Sequence, residues 1–91
     1  MYQCLKITLK SGVPSKFMRN FALKNARALR LEGAVQVVEK LIEMIVCGHP
    51  DRMDEFIELL HKKSLEYKVS NLEIESFPRE KDYRGVFRVI E

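Results

Sequence analysis

Apolar and polar side chains alternate along the amino-terminal segment of the chain. Leu5, Ile7 and Leu9 are apolar, and the residues between them are polar. A period of two is typical of a strand with one buried face. We therefore predict a strand over residues 3–9, ended by the turn-forming residues 11–14.

A helical period replaces the alternation from residue 15 to about residue 31. The apolar residues spaced for one side of a helix are Met18, Ala22, Ala26 and Leu29, flanked by Phe17 and Phe21. This spacing predicts an amphipathic helix. Ser15 is placed to cap its amino end, and Gly33 is predicted to close the helical region.

The middle of the chain predicts a hairpin and a second helix. Short runs at 34–38 and 44–47 predict two strands, with Glu39 and Lys40 at the centre of their turn. Residues 48–51 predict the start of the second helix, because Pro50 suits a first helical turn. The apolar positions of this helix are Met53, Phe56, Ile57 and Leu60.

The carboxyl-terminal segment predicts further strands, over residues 69–77 and 85–90. The order β-α-β-β-α-β, with an extra short strand near the end, is typical of the ferredoxin-like plait. We predict an α+β (split βαβ) domain spanning residues 1–91, with both helices on one face of a four- to five-stranded antiparallel sheet. The other face should be wetter.

Composition indicates a globular protein but does not identify its function. Hydrophobic residues make up 46% and charged residues 32%, and the net charge is +3, which favours a globular chain with anionic partners. No apolar run is long enough to span a membrane, and no secretory signal is visible. We expect a cytoplasmic monomer. The two cysteines and two histidines lack metal-site spacing, so no metal is expected.

Residues 12–19, Gly-Val-Pro-Ser-Lys-Phe-Met-Arg, resemble the phosphate loop of the acylphosphatase family. In that family a glycine-rich turn after the first strand leads to an arginine at the start of the first helix. The similar spacing continues through Ala26, Gly33 and Val35. Residues 44–48, 53–60 and 83–89 are similar to the family's third strand, second helix and last strand. The resemblance covers nearly the full chain and rests on the joint order of these segments.

The resemblance implies hydrolysis of the mixed anhydride between a carboxylic acid and phosphate, without metal or other cofactor. It implies that Arg19 acts in catalysis and in phosphate binding. The implied phosphate-binding residues, acting through backbone N–H groups or side chains, are Val13, Ser15, Lys16, Phe17, Met18 and Arg19. A helix amino end and a guanidinium both suit a phosphoryl group. The expected ligand is an acyl phosphate or inorganic phosphate.

The chain departs from the family pattern at two places. Pro14, Ser15 and Lys16 replace small, flexible loop residues, and Pro14 removes one N–H donor. Val37 occupies the position of the family's water-positioning asparagine, and valine has no hydrogen-bonding side chain. Gln36 beside it points to the opposite face of a regular strand, and only a bulge would turn it round. We therefore predict weak or absent hydrolysis with retained phosphate binding.

A second class of function stays open, a non-enzymatic module for an anionic ligand, RNA or a protein partner. Lys24, Arg27 and Arg30 could form a basic surface on the first helix. RNA-binding plaits, however, carry clustered aromatics on their central strands, and the predicted first and third strands here carry aliphatic residues and cysteines. Nucleic acid is therefore not the favoured partner.

Cys4 and Cys47 fall on the predicted first and third strands. These strands are antiparallel neighbours in a plait of this kind, so opposed cysteines could come close enough to bond. Free thiols are the default in a reducing cytoplasm. The sequence leaves both forms open.

Overall fold

The computed structural model describes residues 3–10, 15–39, 41–66, 71–76 and 85–90. These residues form five strands and two helices, in the order β1 (Gln3–Lys10), α1 (Ser15–Ala28), β2 (Glu32–Val38), β3 (Leu41–Gly48), α2 (Pro50–Glu66), β4 (Asn71–Ser76) and β5 (Phe87–Ile90). None of the described helices is long and apolar enough to cross a membrane.

The strands form a single sheet with the order β4-β1-β3-β2-β5. Three of the pairings are antiparallel, as predicted, whereas β5 adds to the edge of β2 in parallel. The parallel pair is possible because β2 and β5 are far apart in the chain and no hairpin joins them. Two helices packed on this five-stranded sheet confirm the predicted ferredoxin-like α+β class. The extra strand predicted near the end of the chain is β5.

One hydrophobic core lies between the sheet and the two helices. Its fully buried members come from every element except β4, and they include Ile7, Val35, Met44, Phe87, Met18, Ala22, Ala26, Met53, Phe56 and Leu60. Both predicted helical stripes therefore face the sheet. On the other face of the sheet, Gln36, Arg88 and Glu73 are exposed, as expected for its wetter side.

Helix α1 ends differently from the prediction. Arg30 has a φ of 56°, and its N–H donates to the carbonyl of Arg27 at 3.1 Å. The N–H of Leu31 donates to the carbonyl of Ala26 at 2.9 Å. This pair of bonds is a Schellman cap with Arg30 in the left-handed position that glycine usually takes. The prediction that Gly33 closes the helical region was wrong.

Gly33 lies inside β2 and is required there by the neighbouring strand. Its φ is 142°, a backbone conformation that residues other than glycine rarely adopt. A Cβ at this position would overlap the carbonyl oxygen of Ile45 on β3. The glycine therefore permits the close approach of β2 and β3 rather than the end of α1.

Several element boundaries also differ from those predicted. Strands β2 and β3 are longer than 34–38 and 44–47, and Gly48 ends β3 instead of opening α2. The turn between β2 and β3 begins at Glu39, which has a φ of 55°, while Lys40 lies outside the described residues. Residues 69, 70 and 77 of the predicted fourth strand also lie outside them. Gly85 forms a turn before β5.

Cys4 and Cys47 are disulfide-bonded in the structure, which is the bonded form of the two that the sequence left open. They are paired directly across β1 and β3, and both are buried. Cys47 also pairs with Glu32 at the start of β2. We call this side of the sheet, where β1 and β2 begin and β3 ends, the disulfide end.

Candidate functional site

The opposite end of the sheet, where β1 and β2 end and β3 begins, lies next to the described members of the predicted site. Lys10 at the end of β1 and Val38 at the end of β2 both pair with Leu41 on β3. Strands β1 and β2 therefore end at the same level on either side of β3, and four residues separate the end of β1 at Lys10 from the start of α1 at Ser15. We call this side the loop end. It holds the amino end of α1 and, one residue before Val38, Val37.

Arg19 lies in the second turn of α1 with a half-buried side chain. At about 100° per residue, it stands about 20° round the helix from Ala26, which is fully buried. This placement directs the Nε end of the guanidinium toward the core. Its Nε is buried and has no hydrogen-bond partner among the described residues. A buried N–H without an acceptor lowers the stability of the folded state. A ligand that supplies an acceptor to this atom would therefore bind favourably.

The amino end of α1 adds backbone donors and no negative charge. The first N–H groups of a helix have no acceptor within it, and the helix dipole is positive there. The first turn of α1 contains no acidic residue. Within the described residues, no group of three or more His, Cys, Asp or Glu side chains could hold a metal ion. The chemistry available at the loop end is therefore anion binding by N–H donors.

The other predicted loop residues have different surroundings. Val13 and Pro14 lie outside the described residues, and Ser15 is the first residue of α1. Lys16 is exposed, and its Nζ stands 5.9 Å from the centroid of the Phe17 ring.

Phe17 is 49% exposed, whereas the side chain of Met18 is fully buried in the core. Met18 can therefore offer a ligand only its backbone N–H. Phe17 lies about 160° round the helix from Arg19, so its ring is on the opposite flank of α1 from the guanidinium.

Val37 is held in a regular strand that faces the core. It pairs with Ile42 in an unbroken register from Glu32 to Val38, and it packs against the core. Gln36 pairs with Glu43 and is exposed on the other face. The register has no bulge, so Gln36 does not replace the side chain at position 37. Val37 leaves this face of β2 without a polar group at that point.

Sequence reasoning missed two polar contacts made by α1 and β2. The Nε of Arg27, one of the three residues considered for a basic surface on the first helix, donates to the carbonyl of Phe87 at 3.1 Å. The buried carboxylate of Glu32 accepts a hydrogen bond from the N–H of Gly85 at 2.6 Å. Both contacts join residues more than 50 positions apart, so no local pattern in the sequence could have indicated them. Both contacts attach the chain around β5 to the rest of the fold.

Comparison with known proteins gives the family. The acylphosphatase family model matches residues 12–89. An acylphosphatase from Coxiella burnetii has a similar structure, with a TM-score of 0.83 and 29% identity, over 98% of this chain and 93% of that one. No curated protein sequence matches the chain.

More distant structures share the fold. An acylphosphatase from Bacillus subtilis matches over the full length of both chains, with a TM-score of 0.83 and 20% identity. HypF from T. kodakarensis matches with a TM-score of 0.77 and 22% identity, over all of this chain and 12% of that one. The family model covers the greater part of the sequence, including the loop and both helices. The chain therefore belongs to the acylphosphatase family.

Proposed function

We propose that this protein binds the phosphoryl group of an acyl phosphate, or inorganic phosphate, at Arg19 and the amino end of α1. It hydrolyses carboxylic-phosphate mixed anhydrides weakly or not at all. The observation that carries the binding proposal is the buried, unpartnered Nε of Arg19. The observation that limits hydrolysis is the core-facing valine at position 37.

The charge arrangement supports binding of a phosphoryl group. A guanidinium donates parallel hydrogen bonds to two oxygens and keeps its charge at all physiological pH values. A half-buried guanidinium interacts more strongly with an anion than an exposed lysine does, because less water screens it. Lys16 and the first N–H groups of α1 would add further positive potential around the same ligand.

The missing asparagine limits the chemical step. Hydrolysis needs a water molecule held in line with the bond that breaks, and positioning supplies much of the catalysis of phosphoryl transfer. A valine methyl group neither donates nor accepts a hydrogen bond. A bound acyl phosphate would then meet an attacking water that no side chain at position 37 orients.

An NMR titration of the ¹⁵N-labelled protein with inorganic phosphate tests the binding site. We expect saturable shifts at residues 15–19, and at least about a tenfold loss of affinity in Arg19→Gln, because a charge-assisted hydrogen bond is lost. Lys24→Gln is the matched control, since it removes one exposed charge from the same helix. Equal losses in both variants, or no saturable shift, would sink the proposed site.

The same protein samples decide between enzyme and binding module. Benzoyl phosphate turnover that is brisk in the wild type and disappears in Arg19→Ala would contradict weak hydrolysis. Shifts spread over the open sheet face, or over Lys24, Arg27 and Arg30, would favour the module for another anion, RNA or a protein. The cytoplasmic location and the monomeric state stay predictions.

A further inference from the structure

A cavity lies near the carboxyl end of α1, where the helix meets the start of β5. Its volume is about 350 Å³, within the range of roughly 300–1,000 Å³ that is typical of small-molecule sites. It is lined by residues from the end of α1 and from the approach to β5, namely Arg27, Arg30, Leu31, Gly85, Val86 and Phe87.

This cavity is separate from the loop end. Arg27 follows Arg19 by eight residues, which is about 12 Å along a helix. Phe87 pairs with Gly33, near the beginning of β2, whereas Val37 is near its end. A ligand in this cavity would therefore occupy a different part of the molecule from a phosphate at Arg19.

The lining combines positive charge with apolar surface. Leu31 and Phe87 are 1% exposed and belong to the core, so they lie beneath the cavity and offer a ligand little surface. Val86 adds an exposed apolar side chain at 45%. Arg27 and Arg30 are the charged members. This pattern suits a ligand with an apolar body and an anionic group.

The two arginines differ in the hydrogen bonds that their side chains make within the protein. The Nε of Arg27 is fixed by its hydrogen bond to the Phe87 carbonyl, which leaves the terminal Nη donors of its planar fork for another acceptor. The Arg30 side chain makes no hydrogen bond or ion pair within the described residues. Gly85 at the edge of the cavity is held by Glu32. One guanidinium is thus positioned by the fold, and the other keeps its donors for a ligand.

The backbone of Arg30 gives independent support for a role of its side chain. Its φ of 56° is the left-handed conformation that glycine usually takes at this position of a helix cap. An arginine there strains the backbone, and strained conformations that persist in a fold point to a functional hypothesis. The Schellman cap itself needs only the backbone of residue 30.

We propose that this cavity binds a small organic anion, a carboxylate or phosphate monoester carrying an apolar group, with Arg27 and Arg30 holding the anionic group. The apolar group packs on the exposed side chain of Val86. The site is independent of the proposed phosphate site at Arg19, and either can fail without the other.

Phenyl phosphate is a suitable probe, used on the Arg19→Gln protein so that the loop end does not contribute. We expect saturable NMR shifts at residues 85–87, and weaker binding of inorganic phosphate at the same residues, because it lacks the apolar group. Adding Arg30→Gly should weaken phenyl phosphate at least about tenfold while leaving the thermal midpoint equal or higher. Absence of saturable shifts at residues 85–87 would overturn the proposal.

Two further variants separate the site from general positive charge. Arg30→Lys keeps the charge but loses the planar fork, so we expect an intermediate affinity. Lys24→Gln removes a cation from the same helix that does not line the cavity, so we expect unchanged affinity. Unchanged binding in Arg30→Gly, or equal losses in Arg30→Gly and Lys24→Gln, would overturn the proposal.

Discussion

The two ends of the sheet differ in how their chemical groups are satisfied. At the disulfide end, Cys4 is bonded to Cys47 and the buried Glu32 carboxylate accepts a hydrogen bond from Gly85. At the loop end, the buried Nε of Arg19 has no acceptor among the described residues, and Val37 offers no polar group. The bonds that are already made stabilise the fold, and the donor that is left open can serve a ligand.

The two ends of helix α1 show the same contrast in how their hydrogen-bonding groups are satisfied. The carboxyl end of α1 is capped by two backbone hydrogen bonds and tied to β5 through Arg27. Its amino end has donors without acceptors inside the helix. Substitutions of Gly33 and the bonded cysteines at the disulfide end should therefore change mainly the free energy of unfolding, and substitutions of Arg19 and Val37 at the loop end should change mainly binding and turnover. Arg30, which lines the proposed cavity, is the exception at the disulfide end.

Gly33→Ala should have the largest effect on stability. The added Cβ would overlap the Ile45 carbonyl oxygen, so β2 and β3 would have to separate, at a cost of about 4 kcal/mol or more. Gly85→Ala is the matched control, because Gly85 also has a positive φ but has nothing within 4 Å of the added Cβ. That variant should cost only about 1 kcal/mol. Urea unfolding measures both, and equal losses would refute the close-approach argument.

Removing the disulfide should have the next largest effect. The cysteines are 43 residues apart, so the cross-link should lower the entropy of the unfolded chain by the equivalent of about 4 kcal/mol. The Cys4→Ala, Cys47→Ala double variant should lose this stability in urea, and a reductant should destabilise the wild type but not the variant. Purified protein whose mass is unchanged by reduction would contradict the bond.

Val37→Asn tests whether the loop end lacks only one side chain. If position 37 limits turnover, benzoyl phosphate hydrolysis should rise about 100-fold, the size expected for one well-placed catalytic hydrogen bond. Phosphate affinity should change little, because Arg19 is untouched. Gln36→Asn places the same side chain on the opposite face of β2 and should leave turnover unchanged. A rise in both variants, or in neither, would count against the proposed role of Val37.

Arg30→Gly should have the smallest effect on stability, and it should stabilise the protein rather than destabilise it. Glycine removes the left-handed strain at a φ of 56°, which is worth about 1 kcal/mol of stability. Thermal unfolding, with Lys24→Gly in the middle of α1 as the comparison, should show a gain for the first and a loss for the second. A loss in Arg30→Gly would show that its side chain stabilises the disulfide end.

Periodic patterns gave good predictions where packing follows the local sequence. The alternation of Leu5, Ile7 and Leu9 and the stripe through Met18, Ala22 and Ala26 correctly placed β1 and α1. The end of α1 was mistaken because the cap uses Arg30, where a glycine is the usual signal. Position 33 requires glycine because β3 approaches closely there. This is a tertiary contact, which a local sequence pattern does not reveal.

The sequence could predict which residues belong to the candidate site, but not how deeply each side chain is buried. The family spacing indicated Arg19 and Val37, and the regular strand expected at Gln36 is present in the structure. The burial of the Arg19 Nε depends on the rotation of α1 against the sheet, which one sequence does not give. The cavity beside Arg30 needs β5 to lie parallel to β2, and the strand pattern alone does not choose that partner.

The disulfide also affects how cleavage of this protein can be observed. It closes residues 4–47 into a covalent ring that contains α1, β2 and most of β1 and β3. A protease that cuts one peptide bond inside the ring, for example the bond after Glu39, releases no fragment. The cut protein gains only the mass of one water and still runs as one chain on a non-reducing gel. Limited proteolysis of the loop end must therefore be read after reduction.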